Sequence, residues 1–320
     1  MRTGAAAGHA GYFHEAAFYN SDEEFLAVVV PFLEDGLKAG EPTVVVFDEP
    51  NEKLVRRAMG GGAGLSFRSG AEQYVRPASA IRKYRSMMAS QVAGGAVQIR
   101  VAAEVPHPGT GACWDWWARY EAAVNHAYDD FPLWGLCLYD TRITPDEVLA
   151  DVARTHPRIA SAGGVHREND GFEDPIGFLA RLGPVGLDPL ERDLPLAELR
   201  SVTSAAAREA VTRAATVSGV PASDVDDLII AVSEAVANAH RHGVPPVRLR
   251  LWAARERLVA TVTDQGRGPA DPFAGLVPVR SPAGGLGLWI IHQTCARVTM
   301  SVGEDGFTIR MVAGKPGLSS

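Results

Sequence analysis

The sequence predicts two domains of different class, an α/β domain followed by an α+β domain. Three observations lead there. The 320 residues are enough for two cores of ordinary size. From Ser21 to Thr155, short apolar runs alternate with stretches of helical periodicity, the spacing of a mainly parallel sheet with helices on both faces. Beyond a boundary region dense in Gly, Pro and charge, Ala160 to about Pro195, helical patterns come first and two hairpin patterns follow among them, which is not a doubly wound order. The domains are expected at 1–185 and 186–320.

The first domain starts with a small-residue N-terminus that reads as mobile and a short Tyr12–Tyr19 segment. Ser21 with Glu24 then forms a capping-box signature, and Phe25, Val28, Val29, Phe32, Leu33 and Leu37 supply the apolar stripe of the helix it opens. Pro31, which has no N–H, should kink or divide that helix, and Gly40 ends it. Thr43–Phe47 is a β-branched run, hence a strand buried on both faces; Asp48-Glu49-Pro50 opens a helix that the glycines at 60, 61, 62 and 64 close. The alternation continues with strands near Leu65–Phe67, Val97–Val101 and Leu133–Tyr139. Helices are expected from Pro77 to about Val92, from about Trp114 to Ala127, and over Pro145–Thr155. No G-x-x-x-x-G-K-[ST] occurs, and the Gly60–Gly64 cluster follows a helix rather than opening one, so it reads as a turn and not a nucleotide loop.

In the second domain Leu199–Ser218 reads as a helix ended by Gly219. Ser223 caps the next, with Asp224, Asp226 and Asp227 in its first turn. That helix runs into Leu228–Gly243, where Ala, Val and Ile recur at helical spacing. Val247–Trp252 and Leu258–Thr263 alternate in the strand period around Arg255-Glu256-Arg257, a hairpin that leaves Asp264 at the end of its second strand. Leu288–Cys295 is a short helix, and Val298–Val302 with Phe307–Val312 form a second hairpin through Glu304-Asp305-Gly306.

Composition narrows the function classes. Hydrophobic residues at 46% and charged residues at 22% are ordinary for a soluble globular chain, and a net charge of -7 provides no field that attracts nucleic acid. Cys113, Cys137 and Cys295 are far apart and form no C-x-x-C pair, so neither a disulfide framework nor a zinc site is suggested and a cytoplasmic location fits. No apolar run approaches the roughly 20 residues that span a bilayer, so no membrane partner is expected.

Three stretches of the second domain carry chemistry when taken together. Glu234 and Asn238 lie four apart and share one helix face, where a carboxylate can take a proton and an amide oxygen can ligate a hard cation such as Mg2+. In D-Q-G-R-G at 264–268, an acidic side chain at a strand end precedes two glycines, Gly266 and Gly268, that let the backbone approach a flat ligand; Asp264 can accept from an exocyclic amine. In G-G-L-G-L at 284–288, the backbone N–H groups of Gly284, Gly285, Leu286 and Gly287 precede a helix, a place that favours phosphate. Adenine at one end and phosphates at the other describe ATP. The stretch between Gly268 and Gly284, with Pro269, Pro272, Pro278 and Pro282, reads as a lid from which Arg280 could reach the phosphates.

E-A-V-A-N-A at 234–239, D-Q-G-R-G and G-G-L-G-L resemble the N, G1 and G2 boxes of the gyrase, Hsp90, histidine kinase and MutL ATPase superfamily. Within it, the chain looks most like the anti-sigma factor serine/threonine kinases of Gram-positive stress switches, whose helix similarly reads Glu, Asn, then Arg-His, here Arg241-His242. That resemblance implies a Bergerat-type two-layer α+β sandwich over about Leu190–Val312, with ATP and Mg2+ as cofactors. It further implies Glu234 as general base toward a Ser/Thr hydroxyl, Asn238 as Mg2+ ligand, His242 beside it, Asp264 as adenine reader and the glycines as backbone contacts. The partners it implies are a sigma factor and a STAS-type anti-sigma antagonist, and the family commonly dimerises. H-E-A-A-F-Y at 14–19, S-D-E-E-F-L at 21–26 and Leu138-Tyr139-Asp140-Thr141 resemble the MEDS sensory domain, which implies a RecA-like sheet without its phosphate loop and a sensory ligand that the family does not define.

Blander readings stand beside these. His14-Glu15 is a phosphoacceptor dipeptide, part of a ligand site or a surface turn before the first helix, and a sensory-site role for His14 is preferred. Trp114, Trp116, Trp117 and Tyr120 at helical spacing read as core, and His240 with His242, two apart on a helix, point in different directions and do not read as a metal pair. The expected function is an ATP-binding anti-sigma factor that sequesters a sigma factor and phosphorylates its antagonist under sensory control. The alternatives are a sigma-binding module that uses ATP without transferring phosphate, and a sensor histidine kinase. Against the latter, residues 190–239 contain no histidine.

Overall fold

The computed structural model describes residues 1–183, 185–277 and 286–315. The chain divides into two compact units, Met1–Arg181 and Leu182–Ser320. Arg280, Gly284 and Gly285, with residues 278–283 of the expected lid, lie outside the described residues.

The first unit is a mixed sheet of seven strands, β1 (Phe13–Tyr19), β2 (Thr43–Phe47), β3 (Ser66–Ser69), β4 (Ile99–Ala103), β5 (Leu133–Asp140), β6 (Arg158–Ser161) and β7 (Val165–Glu168). The order is β3-β2-β4-β5-β1-β6-β7, parallel except for the antiparallel β6–β7 pair. Its helices are α1 (Asp22–Lys38), α2 (Glu49–Ala58), α3 (Gly70–Gln73), α4 (Pro77–Ala93), α5 (Trp114–Ala127) and α6 (Asp146–Thr155), with α7 (Pro175–Leu182) at the boundary. Ser21 Oγ accepts the amide of Glu24 at 3.1 Å and Glu24 accepts that of Asn20 at 2.9 Å, so α1 starts where its capping signature places it. Phe25, Val28, Val29, Phe32 and Leu33 face the core.

Three readings are corrected here, and one left open is narrowed. Of the readings of His14-Glu15 the surface turn is excluded, because Tyr12–Tyr19 contains β1, interior to the sheet between β5 and β6, with His14 and Glu15 buried. Polar residues lower strand propensity, but tertiary partners satisfy these two: Glu15 accepts from Trp134 Nε1 at 2.7 Å and faces His166 Nδ1 at 3.0 Å. The N-terminus is tied down, with Arg2 donating to Gln98 Oε1 at 2.8 Å and to the carbonyls of Gly11 and Leu133. Pro31 does not divide α1, because it stands on the exposed face, where solvent serves the carbonyl left without a donor. The boundary region is not structureless, since it holds the β6–β7 hairpin and α7.

The second unit is an antiparallel sheet with helices. Five strands, β8 (Ala197–Arg200), β9 (Arg248–Ala254), β10 (Arg257–Asp264), β11 (Arg297–Gly303) and β12 (Gly306–Gly314), lie in the order β11-β12-β10-β9-β8. The helices α8 (Ser204–Ala215), α9 (Ala222–His242) and α10 (Leu286–Thr294) bury Val211, Val232, Val236 and Ile291 against Leu249, Leu251, Leu258, Val262, Ile309 and Met311, alternate residues of the sheet. On the opposite face Trp252, Val259 and Val312 meet Leu190, and Arg257 and Arg310 pair with Asp188 and Glu191.

Both hairpins form as expected, turning at Arg255-Glu256 and Glu304-Asp305. Two helix starts move. Ala197–Arg200 is an edge strand paired with β9, and α8 begins after Thr203, whose Oγ1 accepts the Ala206 amide at 3.2 Å. Helix α9 begins one residue before Ser223 and has no side-chain cap, so Ser223 lies inside its first turn.

Candidate functional site

Helix α9 turns Leu228, Ala231, Val232, Ala235, Val236 and Ala239 into the core. Their spacing leaves Glu234 and Asn238 half-buried on an adjacent face, one turn apart. His240 Nε2 lies 2.8 Å from the Val202 carbonyl, anchoring the helix end, whereas His242 is exposed in the last turn.

Where α9 ends, the chain meets the end of β10. Asp264 is buried, and its Oδ1 accepts the amides of Val244 at 3.1 Å and Gly266 at 2.6 Å, while the Gln265 amide donates to the Val244 carbonyl at 2.7 Å. The strand end and the loop after α9 are thus clipped together by one carboxylate oxygen, and among the described residues no hydrogen bond engages Oδ2. The turn needs its glycines. A Cβ on Gly266 would come 2.6 Å from Asp264 Oδ1, and Gly268, at φ +69°, lies flat against the Phe307 ring.

The first turn of α10 completes the arrangement. A Cβ on Gly287 would lie 2.8 Å from Asn238 Nδ2 and 3.0 Å from Glu234 Oε2, so this backbone lies directly against the two polar side chains of α9. Leu286, beside it, is exposed. The first-turn amides of a helix have no intrahelical acceptor, and here they stand next to a carboxylate and an amide oxygen. The donor chemistry fits a nucleotide phosphate with Mg2+: hard oxygen donors on α9 beside the first-turn backbone of a helix, brought together by a glycine.

In the first unit, His14 is buried and its Nδ1 lies 3.0 Å from Asn125 Oδ1. Its ring lies 4.0 Å from that of His156, centroid to centroid, and its Nε2 is 3.5 Å from Cys137 Sγ and 3.7 Å from Glu121 Oε2. Burial holds both histidines below their ordinary range, His156 at about 4, pushes Glu121 up to about 7 and raises the Cys137 thiol. A cavity of about 20 Å3, room for on the order of one water, adjoins Glu121 and Cys137 and is lined by Tyr74, Tyr84, Tyr120 and Tyr128. Of the four aromatic residues read as core, Trp117 and Tyr120 are buried and Tyr120 borders this cavity, whereas Trp114 and Trp116 are only half-buried. Glu121, Cys137 and His156 carry no sequence signal as a group, since they come from separate elements.

Residues 13–157 match the MEDS family, the methanogen/methylotroph, DcmR sensory domain, and residues 197–313 match the histidine kinase-like ATPase domain. Among solved structures, the histidine kinase domain of the E. coli osmosensor EnvZ is similar at 17% identity, covering 40% of this chain and 94% of that chain, with a TM-score of 0.22. No curated protein matches the chain. No helix among the described residues is long and apolar enough to cross a membrane.

Proposed function

We propose, from the premise that an N-terminal MEDS sensory domain is joined to a histidine kinase-like ATPase domain, that this chain is an anti-sigma factor and protein serine/threonine kinase under sensory control. It sequesters a sigma factor and phosphorylates a Ser or Thr of a STAS-type antagonist, as a homodimer. The observation that carries the kinase half is the close approach of Gly287 to Glu234 and Asn238.

ATP with Mg2+, when bound, supplies the phosphoryl group and neutralises its charge. The chain's own residues do the rest. Asp264 Oδ2 would accept from the exocyclic amine of the base, and Gly266 and Gly268 would leave room for its ring beside the backbone. Asn238 would offer its amide oxygen to the cation, and the backbone amides of Leu286 and Gly287 would donate to phosphate oxygens. Glu234 accepts the proton of the attacking hydroxyl. Arg280 is assigned to the phosphates by sequence alone. The absence of histidine from residues 190–239 favours a protein hydroxyl over a phosphoacceptor imidazole on the preceding helix.

The test is incubation of the full chain with labelled ATP, Mg2+ and candidate antagonists, followed by mass spectrometry. Acid-stable phosphate on a Ser or Thr of the antagonist is expected. Acid-labile label on the chain itself would instead make it a histidine kinase, and ATP-dependent sigma binding without any transfer would make it a binding module. Glu234→Ala should slow transfer by about 10²–10⁴-fold while ATP affinity changes only a few-fold; transfer at the wild-type rate rules out the general-base role.

A further inference from the structure

We propose that the sensory unit holds a zinc-class divalent cation between His14, Glu121, Cys137 and His156. These residues come from β1, α5, β5 and the end of α6, and one ligand atom from each lies within 4.8 Å of all the others. All four are buried, and the His14, Glu121 and His156 side chains are 0% exposed.

The two carboxylate–imidazole spacings are too long for hydrogen bonds and close to those of shared ligands, and the Cys137–His14 pair, at a length that an S–H···N hydrogen bond also has, is compatible with both. His14 Nε2 is 3.5 Å from Cys137 Sγ and 3.7 Å from Glu121 Oε2, and His156 Nε2 is also 3.7 Å from Glu121 Oε2. An O···N hydrogen bond needs about 2.7–3.2 Å. Two ligands held at about 2.0–2.3 Å from one zinc ion in tetrahedral geometry lie roughly 3.3–3.6 Å apart. Glu121 Oε2 and His156 Nε2 are buried with no hydrogen-bond partner, the condition that a bound ion would relieve.

The surroundings orient all of these atoms. Asn125 Nδ2 donates to the carbonyls of Glu121 and Thr155, both at 2.9 Å, which turns its Oδ1 toward His14 Nδ1 and makes that nitrogen the donor. His156 Nδ1 lies 2.8 Å from the Val152 carbonyl and is likewise the donor. Each imidazole therefore presents the lone pair of Nε2 inward, the tautomer a metal ligand needs. Tyr139 donates to Glu121 Oε1 at 2.6 Å and leaves Oε2 for the centre. On binding, the Cys137 thiol and the Glu121 carboxyl lose their protons to solvent, and the resulting thiolate and carboxylate balance a 2+ charge in the interior. Two imidazoles, a thiolate and a carboxylate are borderline ligands in a closed set of four, which selects zinc over Mg2+ or Ca2+.

The test uses the full chain without nucleotide. Purified protein should carry zinc at about one ion per chain by mass spectrometry of its metals. After chelation, Co2+ should give a thiolate-to-cobalt charge-transfer band and intense tetrahedral ligand-field bands. Cys137→Ser should lose the charge-transfer band, and Glu121→Gln should keep it while weakening affinity by about 10-fold or more. A folded wild-type chain that takes up neither zinc nor cobalt stoichiometrically overturns the proposal, as does a cobalt spectrum unchanged by Cys137→Ser. If that variant does not fold, the wild-type spectrum decides: octahedral cobalt without a thiolate band overturns the site.

Discussion

Gly287 occupies a place where a methyl group has no room. Its missing side chain lets the first turn of α10 lie against Asn238 and Glu234, so Gly287→Ala should push these groups apart at a cost of about 1–3 kcal/mol. The expected readout is an ATP affinity reduced by at least about tenfold in a chain whose circular dichroism is unchanged, measured by calorimetric titration. A second residue-scale expectation concerns Glu104. Burial pushes its carboxyl up to about 7 from an ordinary 4.5, against the opposing bonds from Tyr19 and Asn51; the Asp48 charge raises it further and the Asp48 backbone hydrogen bond lowers it. The folded state then binds more protons than the unfolded one between these values. The stability contributed is complete below about pH 4.5 and is lost as the pH rises through about 7. Glu104→Gln keeps an oxygen to accept both bonds but cannot ionise. Relative to wild type it should gain stability as the pH rises, by at most on the order of 3 kcal/mol at pH 8, in urea unfolding across pH 4–8.

At the scale of elements, the helix starts make a paired prediction. Ser21 closes the first turn of α1, so Ser21→Ala should cost about 1 kcal/mol. Ser223 looks equally like a cap in sequence but sits inside α9, its hydroxyl 3.4 Å from Asp224 Oδ1, so Ser223→Ala should stay within about 0.5 kcal/mol. Denaturant midpoints of the two variants check this, and a loss at Ser223 as large as at Ser21 would contradict the start of α9. The edge strand β8 has a related lesson. Ala197–Arg200 alternates partly buried with exposed residues over only four positions, too short a run to be told from a helix start until β9 pairs with it.

At the scale of the molecule, each unit buries its own apolar set, Phe25, Val29 and Leu33 with the first sheet and Val211, Val232 and Met311 with the second. ATP is therefore expected to act first on the unfolding of the unit that carries Glu234, Asn238 and Gly287. ATP with Mg2+ should add roughly RT ln(1 + [L]/Kd) to the stability of the second unit, read by calorimetry as a transition that moves to higher temperature with ATP concentration; a thermogram unchanged by ATP contradicts this.

Much of this architecture is legible in one sequence because periodicity is a local property. Thr43–Phe47, Trp114–Ala127 and both hairpins announce themselves through neighbouring residues, and they occur where read. The Glu234–Asn238 pair and the 264–268 turn are legible for the same reason, since each is held within a few consecutive positions. What only the tertiary structure decided is what strand order creates. β1 lies inside its sheet because β5 and β6 return to flank it, and that crossover brings residues 14, 121, 137 and 156 within 4.8 Å at their ligand atoms. No spacing along the chain encodes that meeting, so three cysteines that suggest no metal site in sequence include one that the fold delivers to a ligand set. Local pattern selects the elements; long-range pairing, with burial and partnering of polar groups, decides which of their side chains converge.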